Sequence, residues 1–144
     1  MTAVRASGTD VPSYTETWDC APESAAKARR LVAAALSLWG IAEQAEAGVL
    51  VASELVANAI THSSCRRFRI RVSRPGNRTV KIIVSDTSRK IPSPSEAGPD
   101  SESGRGLHLV ALMSTKWGYE LKGWGKIVWA ELELPEQSDS GVES

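Results

Sequence analysis

The apolar residues of this chain change period along its length, and each change marks an element. Ala28, Leu31, Val32, Ala35 and Leu38 recur three and four apart, the spacing of one helix face. Asp19-Cys20-Ala21-Pro22-Glu23 reads as the start of that helix, because Asp accepts from free N–H groups and Pro and Glu suit the first turn. Gly40 stops the run after Trp39. A second helix is expected from about Ala42 to His62, acidic early and carrying Val51, Leu55, Ala59 and Ile60 later, with Gly48 weakening it slightly. The period then drops to two. Phe68, Ile70 and Val72 face inward from a half-buried strand while Arg67, Arg69 and Arg71 face out. Turn chemistry at Arg74-Pro75-Gly76-Asn77 and a second apolar strand from Thr79 to Ser85 complete an antiparallel hairpin.

From Thr87 to Ser103 the period disappears, and Pro92, Pro94, Pro99 and several serines describe a long loop of the kind that is usually functional inside a compact domain. After Gly104-Arg105-Gly106, the run from Leu107 to Met113 predicts a short apolar helix. Lys116 to Lys122, a Gly123-Trp124-Gly125 turn and Lys126 to Leu134 predict a last hairpin, with Trp117, Trp124 and Trp129 as packing residues and Trp124 alternatively a contact residue at the turn. The order helix, helix, strand, strand, loop, helix, strand, strand predicts an α+β fold with helices on one face of a mainly antiparallel sheet. Met1 to Asp10 and Pro135 to Ser144 are small and polar, so both ends are expected to be disordered around a single domain at 11–134.

Composition narrows the function classes. At 144 residues the chain is long enough for a core that needs no covalent staple. Cys20, Cys65 and two histidines are too few for a disulfide framework or a zinc site, and the cysteines read most simply as small interior or surface residues. Seventeen basic and seventeen acidic residues cancel, which argues against a general phosphate-backbone binder and leaves nucleic acid out of the expected partners. No apolar run approaches the ~18 residues of a membrane span, and MTAVRASGTD lacks a signal-peptide core. The expectation is a cytoplasmic protein with no membrane partner.

Three groups of residues carry candidate chemistry. Glu54 and Asn58 lie four apart, so on a helix they share a face, where a carboxylate and an amide can orient a hydroxyl or ligate Mg²⁺; a solvated polar stripe has the same spacing. Asp86 ends an apolar strand, where a carboxylate can accept from an exocyclic amine such as that of adenine; a turn residue is the plainer reading. Gly104-Arg105-Gly106 leads into a helix, whose N–H groups attract phosphate. The row Arg66, Arg67, Arg69, Arg71, Arg74 and Arg78 is either the solvated face of the hairpin or a surface for an acidic partner. His62 suits a helix end, and His108 a structural position.

Taken in order, Glu54-Leu55-Val56-Ala57-Asn58-Ala59, Asp86 and Gly104-Arg105-Gly106-Leu107 resemble the N box, adenine-binding Asp and glycine strip of Bergerat or GHKL ATPases. The resemblance covers about Trp18 to Leu134 and is strongest to small stand-alone anti-sigma-factor serine/threonine kinases of actinomycete type, in which Ser-Glu-Leu-Val-x-Asn-Ala is followed by a histidine, here His62. It implies a two-layer α/β sandwich, ATP and Mg²⁺ as cofactors, and the loop at 87–103 as an ATP lid. It also implies roles: Asn58 for Mg²⁺ on the ATP phosphates, Asp86 for the adenine amine, Glu54 as base or orienter for a partner's serine hydroxyl, and Gly104, Arg105, Gly106 and Leu107 beside the phosphates. The implied partners are a sigma factor or similar regulator and an anti-anti-sigma-like antagonist protein, with a homodimer common among such relatives. The sequence departs from the family pattern at three places. Thr87 and Ser88 follow Asp86 where relatives have Asp-x-Gly-x-Gly, the glycine strip is short, and Ile127 stands where relatives often place Thr near the adenine. These departures also fit a catalytically inactive module of the same fold that binds a regulatory partner.

Overall fold

The computed structural model describes residues 2–5, 11–62, 66–88 and 109–134. Six strands form one sheet in the order β1-β2-β3-β4-β6-β5, every neighbouring pair antiparallel: β1 (Thr2–Arg5), β2 (Pro12–Asp19), β3 (Arg67–Gly76), β4 (Thr79–Asp86), β5 (Lys116–Lys122) and β6 (Gly125–Glu133). Helices α1 (Pro22–Leu38) and α2 (Ala45–His62), separated by a 3-10 turn at Ala42–Gln44, leave the sheet after β2 and return at β3. They pack on each other and on one face of the sheet, which makes the expected two-layer α+β sandwich.

The core lies between those layers. Ala28, Leu31, Val32, Ala35 and Leu36 of α1 and Val51, Ala52, Leu55, Val56 and Ala59 of α2 are buried against Phe68, Ile70 and Val72 of β3 and Val80, Ile82 and Val84 of β4. Leu38, expected on the inner stripe, is 64% exposed, and Leu36 takes the buried place. The helix ends there in a Schellman arrangement: Gly40 N–H donates to the Ser37 carbonyl and Ile41 N–H to the Leu36 carbonyl, with Gly40 at φ +76. Gly48 has a packing role beyond its cost to helix propensity. A Cβ there would stand 3.3 Å from both Leu36 and Val32, so its absence lets α2 close on α1.

Several expectations are corrected. The N-cap of α1 is Ala21, with no side-chain cap; Asp19 instead ends β2, paired with Arg67. Strand β2 itself has no apolar alternation to announce it, because Glu16 shares the helix-facing side with Tyr14 and Trp18. Pairing with β3 makes the strand. Residues 2–5, within the end expected to be disordered, form the edge strand β1. Strand β3 runs on through Pro75 and Gly76 with a register irregularity between Ser73 and Gly76, which moves the turn to Asn77 and Arg78. The expected second helix begins as the 3-10 turn and becomes α-helical only at Ala45. Within the expected helix from Leu107 to Met113, residues 109–113 are helical; Leu107 and His108 lie outside the described residues. Val110 is buried there, and Leu112 is 81% exposed.

Cys20 is disulfide-bonded rather than a free interior or surface thiol, and Cys65, outside the described residues, is the one other cysteine in the sequence. The arginine row divides. Arg66, Arg67 and Arg69 are exposed, whereas Arg74 donates to the Trp39 and Asn77 carbonyls at 3.0 and 2.8 Å and Arg78 donates to the Leu134 carbonyl at 3.3 Å. The two later arginines therefore brace backbone at the far end of the sheet. In the last hairpin Trp117 packs against the core, while Trp124 is 54% exposed at the turn. Trp129 faces away from the helices, its indole over Gly118 of β5 and under the Lys81 ammonium at 4.8 Å. No helix of the described residues is long and apolar enough to cross a membrane.

Candidate functional site

The alternation that builds the core also places the site. Along β4 the inward residues are Val80, Ile82, Val84 and then Asp86, and along β6 they are Lys126, Val128, Ala130 and Leu132. Each strand thus carries one charged residue on its apolar face. The register pairs Asp86 with Lys126, so both charges fall at the same end of the layer.

The two side chains meet there. Lys126 Nζ lies 3.2 Å from Asp86 Oδ1, and each side chain is 1% exposed. The Ser88 N–H donates to the same oxygen at 2.7 Å, closing a short turn after the strand. Asp86 Oδ2 is buried and accepts no hydrogen bond. A carboxylate oxygen left without a donor in an apolar layer is costly, and a donor brought to it by a ligand offsets that cost.

Gly125 makes this junction possible. A Cβ at that position would overlap the Asp86 carbonyl oxygen and the Thr87 Cα, so the backbones of β4 and β6 come as close as they do only through a glycine. Lys126 was not among the expected site residues. Its parity was the available signal, since a lysine in phase with Val128, Ala130 and Leu132 has no solvent to reach. The same parity corrects Ile127. It pairs with Ser85 and lies on the face away from Asp86, so a Thr at this position would not stand beside that carboxylate.

Helix α2 carries the other two expected residues, Glu54 and Asn58. Its first turns line a small cavity with Val80 at the start of β4 and Leu132 at the end of β6. The helix packs along β4 from there, so its last turns, with Asn58, lie toward the Asp86 end. Glu54 and Asn58 are both half-buried, one turn apart on the same face, flanked by buried Leu55 and Ala59. Asn58 offers an amide oxygen, a hard donor of the kind Mg²⁺ takes singly while keeping waters. Among the described residues no group of three or more His, Cys, Asp or Glu could hold a metal ion by itself. Gly104, Arg105, Gly106 and Leu107, and the loop residues 89–103, lie outside the described residues. Thr87 and Ser88 at the start of that loop are described, and Ser88 spends its N–H on Asp86.

The arrangement can therefore receive an amine-bearing group at Asp86 and a metal-bound anion near Asn58. Comparison with known proteins gives three findings. A family model described as a histidine kinase-like ATPase domain matches residues 19–132. Among solved structures, the histidine kinase domain of the blue-light activated histidine kinase of Erythrobacter litoralis EL346 is 22% identical, with a TM-score of 0.48, over 76% of this chain. The match spans 60% of the length of that structure. No curated protein matches.

Proposed function

This chain belongs to the histidine kinase-like ATPase domain family, and we propose that it binds ATP with Mg²⁺ and acts as a serine/threonine protein kinase of the anti-sigma-factor type. The observation that carries the nucleotide reading is the buried Asp86 carboxylate, with one oxygen held by Lys126 and Ser88 and the other without a donor. An adenine amine supplies the missing donor. When bound, ATP supplies the phosphoryl group.

The chain's own residues divide the remaining work. Asn58 contributes an amide oxygen to the metal on the phosphates, and Glu54, one turn earlier, accepts or orients the proton of a partner's serine hydroxyl. Gly104, Arg105, Gly106 and Leu107 are assigned to the phosphates on sequence resemblance alone. Phosphoryl transfer needs mostly positioning and charge stabilisation, so a carboxylate, an amide, a basic side chain and backbone N–H groups are sufficient equipment. The protein partners in this reading are a sigma factor or similar regulator, held by the domain, and an antagonist protein that receives phosphate on serine. A cytoplasmic location and a homodimer are part of the same proposal.

Calorimetric titration with ATP and ADP, with and without Mg²⁺, tests the reading. Binding is expected, and Asn58→Ala is expected to remove the Mg²⁺-dependent gain for ATP while ADP without metal still binds. No heat with either nucleotide would overturn the proposal. A second reading has its own support. The Ser88 N–H is committed to Asp86, and Ser88 and Lys90 stand where relatives have the two glycines of Asp-x-Gly-x-Gly, which fits a module that holds a partner without transferring phosphate. Transfer from labelled ATP to a serine of an antagonist protein eliminates that reading, and loss of this transfer in Glu54→Ala with ATP binding retained identifies the group that handles the proton.

A further inference from the structure

We infer that Lys126 is a specificity-determining positioning residue: with the Ser88 N–H it engages Oδ1 of Asp86 and leaves Oδ2 as the single open acceptor, so that the site selects a purine bearing an amine at carbon 6 over one bearing a carbonyl. This rests on the adenine reading of Asp86 given above and adds to it the residue that sets the hydrogen-bonding sign of the subsite.

A buried carboxyl group has two states with opposite recognition. As an anion it only accepts; as a neutral acid it also donates through its O–H. Burial alone favours the neutral acid, because taking a charge out of water is costly, and an adjacent cation favours the anion. Asp86 is 3% exposed and its neighbours on its own sheet face are the apolar Val84, Phe68 and Val128, so its polar contacts reduce to the Ser88 N–H and Lys126. The Lys126 ammonium, 1% exposed and 3.2 Å from Oδ1, is its counter-ion.

The pairing is also one-sided. Lys126 and the Ser88 N–H both address Oδ1, and Oδ2 takes neither. The lysine thus pairs with the carboxylate without consuming Oδ2. An amine donates to Oδ2, whereas a carbonyl oxygen placed there meets a carboxylate oxygen with no proton between them. Ile127, on the opposite face of β6, has no part in this choice.

The experiment compares ADP with inosine 5′-diphosphate, which differs by a 6-carbonyl in place of the 6-amine, on the full chain by calorimetry, for the unaltered protein and Lys126→Met. The unaltered protein is expected to prefer ADP by roughly 100-fold, the scale of a hydrogen bond to a charged group. In K126M the carboxyl keeps its burial and loses its counter-ion, and burial without a counter-ion favours a carboxyl that can also donate, so the preference is expected to shrink by at least about 30-fold or to reverse. A K126M protein that is folded and keeps the original ratio overturns the inference. A purely structural lysine would weaken both ligands together and leave the ratio alone. As a control against loss of folding in the variant, the unaltered chain gives an independent reading by nuclear magnetic resonance of the buried Lys126 ammonium group. Saturating ADP is expected to shift that signal, since its carboxylate partner acquires a second donor, and a signal that ADP leaves in place overturns the inference. If the unaltered chain binds ADP and these outcomes fail, only the role of Lys126 falls; if it binds no nucleotide, the adenine reading itself falls.

Discussion

At the scale of single residues, the site depends on two positions with no chemistry of their own to advertise. Gly125 is needed because the backbone of Asp86 and Thr87 occupies the space a side chain would take. Gly125→Ala is therefore expected to separate β4 from β6 at this end, lowering stability by about 2 kcal/mol or more in urea unfolding and weakening ADP binding with it. A variant as stable as the parent would mean that the strands part without penalty. Lys126 is the second position. Removing one partner of a buried ion pair leaves the other without its counter-ion and costs about 3–5 kcal/mol, so substitution of Lys126 is expected to lower stability on that scale.

At the scale of elements, what was legible in the sequence follows from how completely each element's own residues determine it. The outward arginines and inward Phe68, Ile70 and Val72 determine β3 without help, and the same holds for β4 and β6, where apolar residues alternate with little interruption. Strand β2 was not legible, since Glu16 stands among its inward residues, and only its partner β3 makes a strand of it. The end of α1 was legible for a local reason. Gly40 adopts φ +76, which costs an L side chain roughly 1–2 kcal/mol, whereas Gly123 at the β5–β6 turn has nothing near its missing Cβ and no such backbone demand. Gly40→Ala is expected to lower stability by about 1 kcal/mol and Gly123→Ala to leave it nearly unchanged, both read from unfolding midpoints. Equal losses would contradict the Schellman ending. The site was legible in part for the same reason. Asp86, Glu54 and Asn58 stand out by residue type and spacing, but Lys126 acquires meaning only from a register between strands that lie forty residues apart in sequence.

At the scale of the whole molecule, the two helices form a single excursion from the sheet between β2 and β3, and Cys20 sits at its start. A covalent tie there restricts the unfolded chain more than the folded one. Incubation with a reductant is expected to lower the thermal midpoint by about 10 °C, from a typical 2–4 kcal/mol per disulfide and roughly 2–4 °C per kcal/mol at this chain length, and Cys20→Ser is expected to reproduce the reduced midpoint. A midpoint indifferent to reductant would show that the tie contributes nothing to stability. The sheet has unequal edges in the same way. One is closed by β1, from residues whose composition suggested no structure, and the other by β5, whose Lys116, Glu120 and Lys122 discourage further pairing.

The five tryptophans are distributed so that the protein carries its own optical probe. Trp18, Trp39, Trp117 and Trp129 are half-buried, and only Trp124 is exposed, two residues before Lys126. Its emission is expected to lie farthest to the red and to be the first quenched by acrylamide. A ligand that alters the turn leading into Lys126 is then expected to move that red component, so occupancy can be followed in the light that the unlabelled protein emits.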